Sequence, residues 1–260
     1  MKVVIFCGGK GTRLREETEF RPKPMLPIGQ RPILWHIMKI YACHGFKDFI
    51  LCLGYKGDVI KEYFRNYLWN TCDATLSLGG NGNVVFHDRH DVEDWTITLA
   101  DTGVESMTAY RLRAIERYLG DDERFLLTYG DGVGDVPIGA VIETHKRSKK
   151  TCTLTAVHPP GRFGELSLSA TDTVEGFNEK PQTEGGYING GFMVCERSMI
   201  NELPEDPTVM LEQGPLQRLA ASGRLGAHRH DGFWQPMDTY YEFTLLNALW
   251  SSGKAPWKLW

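Results

Sequence analysis

Val3-Val4-Ile5-Phe6-Cys7-Gly8-Gly9-Lys10-Gly11-Thr12-Arg13-Leu14, followed by Arg21-Pro22-Lys23-Pro24-Met25, is the stretch from which the rest of the chain can be read. Residues 3–7 are a short, mostly β-branched apolar run bounded by glycine, the pattern of a buried strand. Gly8, Gly9 and Gly11 let the backbone turn sharply and approach a ligand with no Cβ in the way. Successive N–H groups in such a turn form a nest for an anion. Thr12 adds a hydroxyl, and Arg13 and Lys23 add two positive charges. The prolines flanking Lys23 stiffen its loop and favour one aim for its side chain. These parts together suit a polyphosphate.

Two familiar phosphate loops do not fit. A P-loop needs Gly, four residues, then Gly-Lys-Ser/Thr, and nothing after Gly8 supplies it. The dinucleotide fingerprint needs a third glycine where this chain has Leu14, which disfavours a dinucleotide-binding oxidoreductase.

Working outward, 260 residues suit one large domain, or one domain with a small insertion. The formal net charge of −4 argues against nucleic-acid or anionic-membrane partners, which want a basic face. Six cysteines are scattered without a C-x-x-C pair or zinc-like spacing, which reads as free thiols in a reducing compartment. No signal peptide and no run of membrane-spanning length is present, so a soluble cytoplasmic protein is expected.

Helical spacing over Pro32–His44, a strand at Phe49–Leu53 and a helix over Val59–Leu68 follow the first strand. Strand–helix–strand–helix in this order implies a parallel sheet with right-handed crossovers. Residues 70–110 change character, with a glycine-rich turn and strands at 83–88 and 95–100, and read as an insertion or oligomer-contact region within one 1–260 domain. A helix is expected from Arg111 to Tyr118, then a core strand, Phe125–Tyr129, that runs straight into Gly130-Asp131-Gly132. Further on come a helix at 138–149, a strand at 151–158, a loop at 159–164, a hairpin at 165–177 and Glu179-Lys180-Pro181. Tyr187–Val194 is a strand broken by Gly190-Gly191, which signals a bulge or a close ligand approach. The run Trp234-Gln235-Pro236-Met237-Asp238-Thr239 leads into a last helix at 240–250.

The glycine loop, Pro22-Lys23-Pro24, Gly130-Asp131, Glu179-Lys180-Pro181, Asn189-Gly190-Gly191 and Asp238 occur in the order found in the sugar-1-phosphate nucleotidyltransferases, which this chain resembles along nearly its whole length. Tyr129-Gly130-Asp131-Gly132, residues 33–38, residues 159–164 and the run 234–239 narrow the resemblance to the cytidylyl-transferring branch that acts on glucose 1-phosphate. Cys7 and Phe6 depart from the residues usual there, but they lie in the strand and bear on packing more than chemistry.

The resemblance implies an α/β, Rossmann-like nucleotidyltransferase fold with a mainly parallel mixed central sheet and small β insertions. It implies CMP transfer from CTP to α-D-glucose 1-phosphate, with Mg²⁺ as cofactor, a homo-oligomer (a hexamer among the options) and a surface-polysaccharide pathway. The nucleotide would lie against Phe6, Gly8, Gly9, Gly11, Thr12, Arg13, Lys23, Ser106, Arg111 and Gly130, with Arg13 and Lys23 catalytic. Glu179, Lys180, Asn189 and Gly190 would hold the sugar phosphate, and Asp131 and Asp238 the metal. Arg111 could donate to cytosine N3, where uracil and thymine present an opposing donor; the alternative is that it simply begins an exposed helix. Thymidylyl or uridylyl transfer, and a non-catalytic relative that keeps the fold, are the competing readings.

Overall fold

The computed structural model describes residues 1–11, 14, 18–79, 82–159, 165–168, 171, 174–178 and 186–260. Within these, eight strands build the central sheet: β1 Val3–Phe6, β2 Asp48–Leu53, β3 Thr96–Asp101, β4 Arg124–Tyr129, β5 Cys152–Val157, β6 Ile188–Asn189, β7 Met193–Glu196 and β8 Leu225–His230. Strand β1 runs parallel between β2 and β4, with Ile5 opposite Leu51 on one side and Thr128 on the other. β3 extends the sheet beyond β2. On the other flank β7 runs antiparallel to both β4 and β5, and β8 lies parallel to β5. β6 and β7 pair with opposite ends of β5, so they are two halves of one strand interrupted at Gly190–Phe192. The sheet is therefore mixed but mainly parallel, as the sequence resemblance implied.

Alternation along β1 sets the two layers. Val3, Ile5 and Cys7 join one buried cluster and Val4 and Phe6 the other, because successive side chains of a strand point to opposite faces. The first face is covered by α1 Ile33–Cys43, α2 Gly57–Arg65, α4 Ile138–Ser148 and α6 Tyr240–Ser251. The second is covered by α3 Thr108–Ala114 and α5 Pro215–Ala221. With apolar layers on both sides, the central strands are apolar throughout rather than alternating.

Two helices differ from the sequence expectation. α2 ends at Arg65, and a separate short helix, Tyr67–Thr71, follows. α3 begins at Thr108, three residues before Arg111, and Arg111 is only 4% exposed, so the reading of Arg111 as the start of an exposed helix is corrected. The physical reason is tertiary: Met107 N and Ala109 N, at the start of α3, donate to Pro207 O (2.8 Å) and Val209 O (3.3 Å). In the 70–110 region, Ala74–Leu76 and Val84–Phe86 pair as an antiparallel hairpin before the chain returns to β3. Leu76, Leu78 and Val85 on that hairpin are exposed.

His36 ties α1 to the chain's C-terminal segment. Its Nε2 bonds Ile28 O at 3.0 Å and so carries the proton, while Nδ1 accepts from Trp257 Nε1 at 3.4 Å. Trp250 stands edge-on to the ring at 4.6 Å. Burial pulls the His36 pKa from 6.5 down to about 4. An unfolded histidine takes a proton near 6.5, so between these values the unfolded chain binds the extra proton. Stability attributable to neutral His36 is thus complete above that window, falls as pH drops through it and levels off below it. Chemical denaturation from pH 7 to 4 is expected to show a loss in His36→Gln smaller than in wild type by about 3 kcal/mol. Parallel pH profiles for the two proteins would contradict this assignment.

Candidate active site

Strand order reverses at β1: the chain steps from β1 to β2 and β3 on one side and then crosses to β4 on the other. Ligands of open α/β sheets bind beyond the carboxyl ends of the strands at such a point. A cleft of about 230 Å³ opens there, between the 6–11 loop, Lys23, Pro24, the 106–108 turn, Arg111, Tyr129, Gly130 and Asp131. The structure therefore brings Phe6, Gly8, Gly9, Gly11, Lys23, Ser106, Arg111, Gly130 and Asp131 to one place. Thr12, Arg13, Glu179 and Lys180, and most of the 159–164 loop, lie outside the described residues.

The glycine loop is shaped by close approach. A Cβ on Gly8 would run into the Arg111 guanidinium, and Gly11 takes the left-handed φ of +61° that a side chain would strain. Arg111 reaches across from α3 and donates through Nη1 to Leu53 O (2.9 Å) and Thr102 Oγ1 (2.8 Å). Through Nη2 it donates to Gly8 O (3.0 Å) and Val104 O (3.3 Å). Four of its five N–H groups are thus committed, and they tie the glycine loop to the ends of β2 and β3.

Lys23 opens a short 3₁₀ turn, Lys23–Met25, with Pro22 before it and Pro24 inside. Its ammonium donates to Asp131 Oδ2 at 2.7 Å and also to Asp238 Oδ1. Burial opposes the charge on Lys23, but the two aspartates outweigh it and hold its pKa above the ordinary lysine value. Asp238 reaches the cleft by a specific route. Trp234–Pro236 pairs antiparallel with Gly132–Gly134, and Met237 N donates to Asp131 O at 2.8 Å. Directly after it, Thr239 and Glu242 form a capping box at the start of α6, and Glu242 Oε2 also accepts from Asp238 N at 2.6 Å. Two hard carboxylates that already converge on one cation fit a divalent ion such as Mg²⁺, which takes the rest of its shell from phosphate oxygens and water. Among the described residues, no group of three or more His, Cys, Asp or Glu gathers as a metal cluster.

Asn189 lies near the cleft at the break between β6 and β7. Its Nδ2 donates to Tyr129 Oη (3.1 Å) and its Oδ1 accepts from Gly191 N (3.0 Å), which leaves one donor and one acceptor position for a ligand. Gly190 O accepts from Trp234 Nε1 at 2.8 Å, so the sugar-phosphate candidates and the strand leading to Asp238 share a bond. Sequence reasoning gave no role to Tyr129, Thr108 or Glu212, which are linked here: Tyr129 Oη and Thr108 Oγ1 donate to the two oxygens of Glu212 at 2.6 and 2.8 Å. Tyr129 could have been noticed beside Gly130-Asp131, whereas nothing in the spacing around Glu212 marks it.

A glycine loop, a half-buried lysine and two carboxylates at the reversal of a mainly parallel sheet have the chemistry of a polyphosphate site. The sequence pattern of the nucleotidyl transferase family matches residues 2–228, and the chain belongs to that family. It is 54% identical over 260 residues, all of both chains, to the glucose-1-phosphate cytidylyltransferase of Salmonella typhi. It is 28% identical to the mannose-1-phosphate guanyltransferase of Aspergillus oryzae, covering 98% of this chain and 65% of that one. In fold it is similar to the crystal structure of HddC from Yersinia pseudotuberculosis, with a TM-score of 0.68, 19% identity, and 96% and 99% of the two chains covered.

Lys23→Met keeps an apolar stem of similar length but leaves Asp131 and Asp238 facing each other without their shared ammonium. The pair is partly solvated, so in EDTA the variant should lose about 1–2 kcal/mol of unfolding free energy, less than for a fully buried pair. Urea denaturation measures it, and an unchanged midpoint would show that the triad carries no net stability.

Proposed function

We propose that this protein transfers the CMP group of CTP to α-D-glucose 1-phosphate, giving CDP-glucose and pyrophosphate. The observation that carries the choice of substrates is the 54% identity, end to end, to a glucose-1-phosphate cytidylyltransferase. The cleft supports the chemistry. A phosphoryl oxygen of the sugar phosphate forms a bond to the α-phosphorus of CTP as the bond to the bridging oxygen of the leaving pyrophosphate breaks. A phosphate monoester has a second pKa near ~6 and is mostly dianionic at neutral pH, so no dedicated base is needed. The work left to the protein is to hold two anions together in line and to stabilise charge on the leaving group.

In this reading the Gly8–Gly11 loop and Thr12 cradle the nucleotide, Arg13 pairs with the outer phosphates and Lys23 meets the α-phosphate. Asp131 and Asp238 hold Mg²⁺, which when bound neutralises charge on the phosphates. Glu179, Lys180, Asn189 and Gly190 receive the sugar phosphate. Arg111 and Ser106 read the base; since the Arg111 bond to Val104 O is the longest of its four, at 3.3 Å, it is the one a cytosine acceptor can take over. The six free cysteines suit a reducing cytoplasm, and no helix among the described residues is long and apolar enough to cross a membrane. One domain that self-associates through the exposed 74–86 hairpin completes the proposal.

The deciding assay is pyrophosphate release from a panel of nucleoside triphosphates with glucose 1-phosphate and Mg²⁺. CTP should be preferred over UTP and dTTP, with release dependent on both the sugar phosphate and the metal. Asp131→Asn and Asp238→Asn should each lower turnover by on the order of 10²-fold. Release without the sugar phosphate, or none from any nucleotide, would sink the transferase reading.

Base selection gives a separate expectation. Wild type should favour CTP over UTP by roughly 10²-fold or more in kcat/KM, because a buried polar group left without its partner penalises the wrong base. Arg111→Ala should lose efficiency with CTP and narrow that ratio. A ratio left unchanged would move base selection to the backbone of the glycine loop.

A further inference from the structure

Glu212 lies in the segment between the 3₁₀ turn Arg197–Glu202 and α5, and its carboxylate stands behind the cleft wall rather than in it. One oxygen, Oε1, accepts from Tyr129 Oη at 2.6 Å, and the other, Oε2, accepts from Thr108 Oγ1 at 2.8 Å. A carboxylate has no proton to donate, so Tyr129 must point its hydroxyl hydrogen at Glu212 and offer only lone pairs elsewhere. Asn189 Nδ2 donates to Tyr129 Oη at 3.1 Å, and Gly191 N donates to Asn189 Oδ1 at 3.0 Å. Glu212, acting through Tyr129, and Gly191 N thus hold the Asn189 amide the same way round, from its two ends. The other arm acts on the nucleotide side. Thr108 Oγ1, directed at Glu212, accepts from Leu211 N at 2.8 Å, and Thr108 opens α3, which carries Arg111 and follows directly on Ser106 and Met107. Burial, then the Glu212 carboxylate, push the Tyr129 phenol far above its ordinary pKa, so its proton stays in place.

We propose that Glu212 is a positioning residue shared by the two substrate sites, one carboxylate oxygen fixing Tyr129 and Asn189 for the sugar phosphate and the other fixing Thr108 and the 106–111 turn for the nucleotide. The assignment of the two sites rests on the proposed function above; the bracket between them does not depend on which base or sugar is used. Coupling of this kind keeps the in-line geometry of two bound anions from drifting when either one arrives, and it works without Glu212 touching either ligand.

The test is steady-state kinetics on the full chain, with both Michaelis constants measured in each variant. Tyr129→Phe keeps the ring and removes only the hydroxyl, so it should raise KM for the sugar phosphate about 10-fold while KM for the nucleotide stays within about twofold. Thr108→Val removes the other arm and should show the reverse pattern. Glu212→Ala should raise both, with melting temperatures used to separate these effects from global unfolding. A loss of stability alone would not sort the two constants by arm. Should Glu212→Ala fail to fold, the two single-arm variants still decide the matter. Both constants unchanged in Glu212→Ala, or the same constant raised by Tyr129→Phe and Thr108→Val, would overturn the inference. Wild type run with CTP and glucose 1-phosphate tests the parent reading separately. If wild type turns over another nucleotide and hexose 1-phosphate instead, the pattern is read with that pair.

Discussion

A single ammonium group, Lys23 Nζ, joins parts of the chain that are far apart in sequence: the proline-stiffened turn after the glycine loop, the end of β4 and the entry to α6. Asp131 and Asp238 are brought together by a two-stranded ribbon and bridged by one cation. Two partly buried carboxylates this close would repel each other without it. One ammonium offsets one of the two carboxylate charges, so the triad keeps a net negative charge, and a carboxylate pair of this kind can give a hard divalent ion part of its oxygen shell.

The sheet explains why this triad stands where it does. Reversal of strand order at β1 opens a crevice that the helices on neither face can fill, and every described candidate from β1, β4 and the 106–111 turn drains into it. On the α3 side, Arg111 is held by backbone acceptors more than by side-chain partners. Arg111 bonds three carbonyl oxygens, and the space it needs is available only because residue 8 is glycine. Removing a side chain at one position and burying a guanidinium at another are thus one design feature. The Glu212 carboxylate links Tyr129 and Thr108, so the end of β4 and the start of α3 share a common point.

Much of this was legible in the residues themselves. The apolar, β-branched run before Gly8 predicted a buried strand, and alternation along it delivers side chains to both faces of the sheet. The glycines, the Pro-Lys-Pro turn and the strand-end Gly-Asp are local signals, since each depends on what its own few residues allow the backbone to do. The same is true of the broken strand at Gly190-Gly191 and of the helix that starts just after Asp238.

What the tertiary structure alone decided is which of these signals meet, and which side chains are buried by the meeting. Charge and spacing left Arg111 open between an exposed helix start and a base reader; burial against the glycine loop and the ends of β2 and β3 made it first a tie between elements. The start of α3 could not be placed from sequence because its first N–H groups are satisfied by the 207–209 segment, a hundred residues downstream. Glu212 left no trace in composition, periodicity or motif, since its role is made entirely of partners from other elements. Local pattern determines what a stretch of chain can form by itself; hydrogen bonds and charges shared between distant stretches exist only once the sheet has set their separation.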